Sequence, residues 1–311
     1  MKKMSSLFLF ITVFTCSQAQ FRLNPKWQDG SVQTIEYIYS KVQFSTDTLK
    51  GFDSVHAMIR AKYLGLVDDN YFFEWKFSDF YADTTKGSAS SSNKVVYELI
   101  GKTVNSCPIR FMVGKSDFKI TVLNESQIDS VAGIVKENIA SRVPSKSKDD
   151  HETMKMMLDM LYGLKMDDAI YKHIREYFRV YTKLDLIPNE KRDIKSEMKK
   201  KGNGGMSDGA EGFAVFEDTD PKVYKYKYQS DMDLSKMLGD LAKAFSKDDS
   251  TTDKINQEMS KTKMGTEENG EIIISKPDMV VTSFYEFSNT NGNLFAIDSK
   301  EREMTLLKAV K

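Results

Sequence analysis

Between Tyr71 and Ser78 the chain reads YFFEWKFS, with Tyr71, Phe73, Trp75 and Phe77 at every second position. Phe72, Glu74, Lys76 and Ser78 fill the places between them. A strand sends successive side chains to opposite faces, so this spacing predicts a β-strand with one aromatic face and one mostly polar face. A helix would scatter the same rings around its axis. An aromatic face of this size has to be buried, and the rest of the chain must supply what buries it.

The period of two recurs through Val55, Ala57, Ile59, Ala61 and Tyr63, opposite His56, Met58, Arg60 and Lys62. Leu66 to Asn70 joins the two runs as a hairpin, with Asp69-Asn70 suited to the turn. Val95, Tyr97 and Leu99 read as a further strand, and Thr84 to Asn93 as a polar loop before it. Ile109, Phe111 and Val113 are expected to pair with Phe118, Ile120 and Val122 across the turn at 114–117.

At Asn124 the period changes. Asn124 and Gln127 fit a capping box, and Ile128, Val131, Ala132, Val135 and Ile139 share one helical face until Val143-Pro144. Ser145 to Asp150 reads as a charged break. A second helix carries Met154, Met157, Leu158 and Leu161 and is expected to stop at Gly163. A third carries Ile170, Ile174, Tyr177 and Phe178. Each has one apolar stripe, as helices lying on a sheet or on each other require.

Residues 189–211 are rich in lysine and glycine and read as a linker or long surface loop. Phe213 to Phe216 and Val223 to Tyr228 then look like strands, followed by a helix through Leu234, Met237, Leu238, Leu241 and Phe245. Lys247 to Glu268 is mostly polar. Ile272–Ile274, Met279–Phe287, Leu294–Ile297 and Met304–Val310 are strand-like, and Asn291-Gly292 is a hairpin signal. The order of strands, helices and strands predicts an α+β fold: a curved antiparallel β-sheet or open half-barrel covered by amphipathic helices. The expected organisation is a signal peptide over 1–19, a β-rich block with helices over 20–188, the linker, and a second strand–helix–strand block over 212–311 completing the sheet.

The N-terminus points to export. Lys2 and Lys3 precede the apolar run Leu7 to Phe14, and Ser17-Gln18-Ala19 fits signal peptidase, with cleavage after Ala19. That run is well short of the ~20 residues of a spanning helix, so a secreted or periplasmic protein without a membrane span is expected. The alternative is a lipoprotein acylated at Cys16, against which stands the Phe14-Thr15 pair before it. Cys107 would then be the remaining thiol, unable to form an internal disulfide and expected to be buried beside Pro108. Basic and acidic residues balance at 45 each, which gives no whole-chain footprint for nucleic acid.

No motif identifies catalysis. His56, His151 and His173 show no metal-pair spacing and no HExxH occurs, and His173 with Glu176 reads as a surface pair. Gly202, Gly204, Gly205, Gly209 and Gly212 fail GxGxxG, since Ser207 takes the third glycine's place. Asp218 and Asp220, and Asp248, Asp249 and Asp253, lack calcium-loop spacing. There is no GxSxG elbow. Tyr224, Tyr226 and Tyr228 alternate with Lys225 and Lys227, a pattern read as a core face opposite a lysine-protected face rather than a stacking platform. No cofactor, metal or catalytic residue is therefore expected.

The Ser-Gln-Ala-Gln processing region, the β-rich, lysine-rich body and Asn291-Gly292-Asn293 near the end resemble secreted proteins of Bacteroidota that have no assigned activity. The architecture is also similar to the open-barrel lipoprotein carriers of the periplasm, in which helices cover a curved sheet. That second resemblance implies a carrier and brings over no residues. The resulting expectation is a non-enzymatic exported protein that binds an apolar small molecule, lipid or lipidated partner on its sheet. The apolar lining would come from Tyr71, Phe73, Trp75, Phe77, Phe111 and Phe118. An interaction module with a filled core, binding an envelope protein, is the alternative, and a hydrolase with an unrecognised site the third.

Overall fold

A computed structural model describes residues 23–45, 48–85, 90–141, 148–179, 181, 187–193, 210–233, 263–294 and 297–310. Tyr71 to Phe77 lie where their alternation demands, inside the strand Asn70–Thr85, with Tyr71, Phe73, Trp75 and Phe77 all buried. That strand is β3. Before it come β1 (Val32–Ser45) and β2 (Thr48–Val67), whose inward residues Ile35, Tyr37, Tyr39 and Val55, Ala57, Ile59 are equally buried. The β2–β3 turn uses Asp68 and Asp69, both at positive φ (47° and 59°), one residue earlier than Asp69-Asn70. Two consecutive positive-φ residues are what a tight two-residue hairpin needs.

The next segment departs from expectation. Ser90–Ser106 is a helix, α1, not a strand at Val95–Leu99 preceded by a loop. Val96, Tyr97, Ile100, Thr103 and Val104 are its buried residues, spaced at three and four with Leu99 beside them. Ile109–Gly114 (β4) and Ile120–Val122 (β5) pair as expected, Phe111 with Val122 and Val113 with Ile120, while Phe118 sits in the turn with φ 51°.

Helix α2 (Glu125–Ala140) begins at Asn124, but the Asn124 side chain makes no cap bond. It instead accepts from the Arg110 backbone N–H at 2.8 Å and donates to the Pro108 carbonyl at 2.8 Å, tying the helix start to β4. Helix α3 (Lys148–Met166) passes through Gly163 without stopping, continues as one π-helical turn (Asp167–Tyr171), and becomes α4 (Lys172–Arg179). The Lys148–Asp150 part of the expected break is therefore helical. The Val143-Pro144 stop lies outside the described residues.

Within the expected linker, Lys191–Asp193 forms a short strand, β6, and Ala210–Glu217 is β7. Val223–Asp233 (β8), Lys263–Ser275 (β9), Val281–Leu294 (β10) and Ile297–Val310 (β11) complete the set. The helix expected over Leu234–Phe245 falls outside the described residues. The end of the mostly polar stretch, Lys263–Glu268, belongs to β9. The Asn291-Gly292 hairpin is also corrected: both residues lie within β10, facing Lys300 and Ser299 across the ladder. Turn propensity there is overridden by continuous pairing on both sides of the strand.

All eleven strands form a single open antiparallel sheet, in the order β5-β4-β3-β2-β1-β11-β10-β9-β8-β7-β6. The first and last long strands meet at its centre, with Thr34 opposite Val310 and Ser45 opposite Ser299. One face, here the inner face, carries an apolar row through Phe216, Tyr226, Ile272, Phe284, Leu307, Tyr37 and Ala57 across seven strands. Two steps along, the corresponding row is polar: Ser230, Glu268, Ser288, Glu303, Lys41 and Asp53. The inner face thus grades from rings at one end of the strands to ion pairs at the other.

Candidate functional site

The aromatic end of the inner face holds a cleft. It forms where residues 23–31 return over the sheet, held by Lys26 N–H to the Asp278 carbonyl (2.7 Å), Gly30 N–H to Tyr63 (3.0 Å) and Tyr63 N–H to Ser31 (3.0 Å). This brings Trp27 edge-on to Tyr71 at 4.7 Å, Phe73 at 4.9 Å and Tyr181 at 5.5 Å. Such edge-to-face pairs suit the ring quadrupoles and fix the indole's orientation. Helix α4 supplies the opposite wall, with Phe178 at 5.1 Å from Phe73 and Tyr177 edge-on to Trp75 at 5.5 Å.

The cleft has a volume of about 350 Å³ and is bounded by Trp27, Tyr63, Phe73, Trp75, Tyr177 and Phe178 with Gln33, Ala61 and Thr282. Lys26, Gln28, Ser31, Ser275 and Asp278 also border it. Its innermost polar groups satisfy one another. Gln33 Nε2 donates to the Val281 carbonyl (3.1 Å), and Tyr177 Oη lies 2.8 Å from that carbonyl and 3.0 Å from Gln33 Oε1. Tyr181 Oη donates to the Met279 carbonyl (3.0 Å) and accepts from the Val281 N–H (2.9 Å). A guest at the inner end would meet ring surface, with the polar residues Lys26, Gln28, Ser31, Ser275 and Asp278 at the border. Burial pushes the Tyr177 and Tyr181 hydroxyls well above the usual tyrosine range, and burial with the Asp29 charge pushes Tyr63 up to about 12. All three phenols are therefore neutral at physiological pH.

Of the six rings expected to line a ligand site, Phe73 and Trp75 border this cleft. Tyr71, Phe77, Phe111 and Phe118 are buried among their neighbours, with Phe118 stacked on Tyr181 at 5.3 Å and Phe111 on Phe73 at 5.5 Å. Both tryptophans of the chain, Trp27 and Trp75, border the same cleft. Trp27 was not singled out in the sequence, because an isolated ring among polar residues has no period. Tyr177 and Phe178 were visible as an apolar helical stripe.

His173 lies on that stripe too. It is not a surface residue: it is 3% exposed, between Tyr37 Oη at 2.8 Å from Nδ1 and Thr305 Oγ1 at 3.0 Å from Nε2. Beyond it the polar end of the face is knitted by Lys41 to Glu301 (2.6 Å) and Glu303 (2.8 Å), and by Lys172 to Glu303 (3.4 Å).

Of the remaining sequence candidates, Gly202, Gly204, Gly205, Gly209, Asp248, Asp249 and Asp253 lie outside the described residues, and the following contacts are seen for the others. Tyr226 and Tyr228 are buried, Tyr224 stacks on Phe216 at 5.0 Å, and Lys227 pairs with Glu217 at 3.0 Å. Asp220 Oδ1 accepts from the Lys222 N–H at 2.7 Å, chiefly for which its carboxyl is held below the usual range, and Asp218 pairs with Lys276 at 2.5 Å. Cys107 is buried, and burial pushes its thiol up. Among the described residues, no three His, Cys, Asp or Glu side chains are grouped to hold a metal ion. No described helix is long and apolar enough to cross a membrane.

No protein-family model matches the chain, and no curated protein matches it. Among solved structures it is similar to lipovitellin, from a study of its lipid–protein interactions, at 9% identity and TM-score 0.39, over 92% of this chain and 26% of that one. It is also similar to OprD of Pseudomonas aeruginosa, at 6% identity and TM-score 0.20, over 92% of this chain and 62% of that one. The chain thus spans about a quarter of the first and under two thirds of the second. Likenesses this distant carry no weight for ligand or activity.

Proposed function

We propose that this is an exported, non-enzymatic protein that holds an apolar ligand in the cleft between residues 23–31, β1–β3 and α4. In this reading the sheet curves, and its helices lie over the inner face to keep water from the guest. The observation that carries the proposal is the cleft itself. Six rings line it beside a polar border, its inner Gln33 amide and Tyr177 hydroxyl are already bonded to each other or to backbone, and its volume of about 350 Å³ falls within the ~300–1,000 Å³ usual for small-molecule sites. Being near the lower end of that range, it suits one ring system or one acyl chain better than a two-chain lipid. Export rests on the N-terminal pattern of Lys2-Lys3, the apolar run to Phe14 and Ser17-Gln18-Ala19.

Native mass spectrometry of protein purified without detergent tests this. The expected result is an added mass of a few hundred daltons that organic extraction removes. No adduct, together with no uptake of an apolar probe by the extracted protein, would refute the reading.

A further inference from the structure

Helix α4 carries a buried titratable group that the cleft does not use. His173 stands one helical turn before Tyr177 on the same side, so the helix that walls the cleft is fastened to the sheet through an imidazole. Its partners are two hydroxyls, those of Tyr37 on β1 and Thr305 on β11, and the Tyr37 and Tyr39 rings flank it at 5.4 and 5.2 Å. Burial, with the Tyr97 hydroxyl and the Glu303 charge, pushes the Tyr37 hydroxyl well above the usual tyrosine range, so it stays neutral. One neutral tautomer satisfies the whole chain: Tyr37 donates to Nδ1, and Nε2–H donates to Thr305. The π-helical turn Asp167–Tyr171 gives α4 its own junction with α3, and such turns are frequent at functional sites.

A second ring proton breaks that order. Nδ1 then donates as well, and the buried Tyr37 hydroxyl must turn its own hydrogen elsewhere. The added charge also enters a site that is 3% exposed, where burial disfavours a cation. Most of the charged groups around it are already engaged. Glu303 of β11 holds Lys41 and Lys172 and accepts from the Tyr39 hydroxyl at 3.3 Å, while Glu301 holds Lys41. Glu286 of β10, opposite Thr305, accepts from Tyr228, and Asp53 of β2 pairs with Lys165 of α3 at 3.6 Å. On α4 itself, Arg175 is bidentate with Asp167 at 3.0 and 3.1 Å, and Glu176, three residues on from His173, is half-buried. Glu301 and Glu303 are thus offset by Lys41 and Lys172.

We propose that His173 is a proton-operated latch that fastens α4, and with it one wall of the cleft, to the sheet, and that acid releases it. An imidazole in water takes its second proton at about pH 6.5. The docked form excludes that proton, so the latch holds above this value and weakens as the pH falls below it. Released α4 carries Tyr177 and Phe178 away from the sheet, which would discharge a guest in an acidic compartment. What is discharged rests on the ligand reading of the cleft; the latch itself does not.

Hydrogen exchange of the full chain, with no ligand added, reads the latch directly. Exchange over residues 172–179 is compared at about pH 7.5 and about pH 5.5 after correction for the intrinsic rate, with Val55 to Ile59 of β2 as internal reference. Protection of α4 relative to β2 should fall on the order of tenfold over that interval, the limit for one group whose docked form excludes the proton. The chain has three histidines, so a variant with both His56→Gln and His151→Gln isolates His173 and should keep the fall. His173→Gln, whose amide donates and accepts but does not titrate, should flatten it. Unchanged far-ultraviolet circular dichroism shows that each variant folds. Equal protection of α4 at both pH values in the wild-type chain overturns the proposal without any variant. So does a fall that survives in folded His173→Gln or vanishes in the double variant. A responsive α4 in a chain that takes up no apolar probe would refute the ligand reading and leave the latch standing.

Discussion

Phe178→Ala should be among the most costly single substitutions in this chain. The ring is 1% exposed and sits at the junction of α4, the 23–31 segment and the sheet. Its centroid lies 5.1 Å from Phe73, 5.2 Å from Tyr177, 5.8 Å from Phe111 and 6.0 Å from Trp27. Truncating a fully buried Phe typically costs about 3–5 kcal/mol, through lost transfer energy plus the cavity left behind. Aromatic pairing adds about 0.5–1.5 kcal/mol for a well-placed pair. Partial collapse into the adjoining cleft offsets some of this, so a loss of about 4 kcal/mol is expected. Phe178→Leu keeps most of the volume and should lose about 1–1.5 kcal/mol. Equilibrium denaturation in urea measures both, with an unchanged slope showing that the native state is the same. Met160→Ala, at a position 63% exposed on α3, is the control and should stay within about 0.5 kcal/mol of wild type. A Phe178→Ala loss below about 1 kcal/mol would mean that α4 does not pack on the sheet as described.

Tyr177→Phe removes the hydroxyl next to the Val281 carbonyl and Gln33, and should cost about 1–2 kcal/mol by denaturation. Gly270→Val places a Cβ 2.2 Å from the Tyr228 ring, whose hydroxyl is held by Glu286, so a destabilisation of about 1–3 kcal/mol should appear as a lower melting temperature. Burial alone would raise the Glu303 carboxyl, but the hydrogen bonds and charges of Lys41 and Lys172 outweigh it and hold it below its ordinary value. A depressed folded-state value means the contribution is present above the ordinary carboxylate range and fades as the pH falls through the folded value. Stability measured from pH 7 to 3 should therefore fall less steeply in Lys41→Met than in wild type. At the alkaline end, Tyr63 and Tyr162 are pushed up to about 12, so their contribution is full below the ordinary tyrosine value near 10 and is lost from there to about 12. Alkaline unfolding should show that limb.

Where a segment's neighbours are set by its own alternation, the sequence was sufficient. β2 and β3 alternate over many residues, so Val55 to Tyr63 and Tyr71 to Phe77 could be assigned to strands and to the correct face. Val95, Tyr97 and Leu99 could not settle α1, because three alternating positions fit a strand as well as a helix. Val96, Ile100 and Val104, spaced at four and all buried, decide it, and the alternation passes over them. Asn291-Gly292 failed for the opposite reason: its local turn preference is real, but pairing to Lys300 and Ser299 on one side and Gly265 and Met264 on the other outweighs it. The cleft was the least legible part. Its walls come from residues 23–31, from β1 to β3, from α4 and from the β9–β10 turn. They meet only because β1 pairs with β11 and because the π-turn before α4 carries Tyr177 and Phe178 over the sheet. Nothing in the spacing around Trp27 reports that meeting.

The most direct measurement uses the chain's own two tryptophans, since both border the cleft. Extracted protein is titrated with a dansyl-labelled acyl probe while energy transfer from tryptophan to dansyl is followed. Saturable transfer with one probe per chain, displaced by an unlabelled apolar competitor and lost on closing the cleft with Ala61→Phe while the fold persists, is the predicted result. Tryptophan emission that does not respond to the probe, or transfer that survives Ala61→Phe unchanged, would contradict a ligand seated between Trp27 and Trp75.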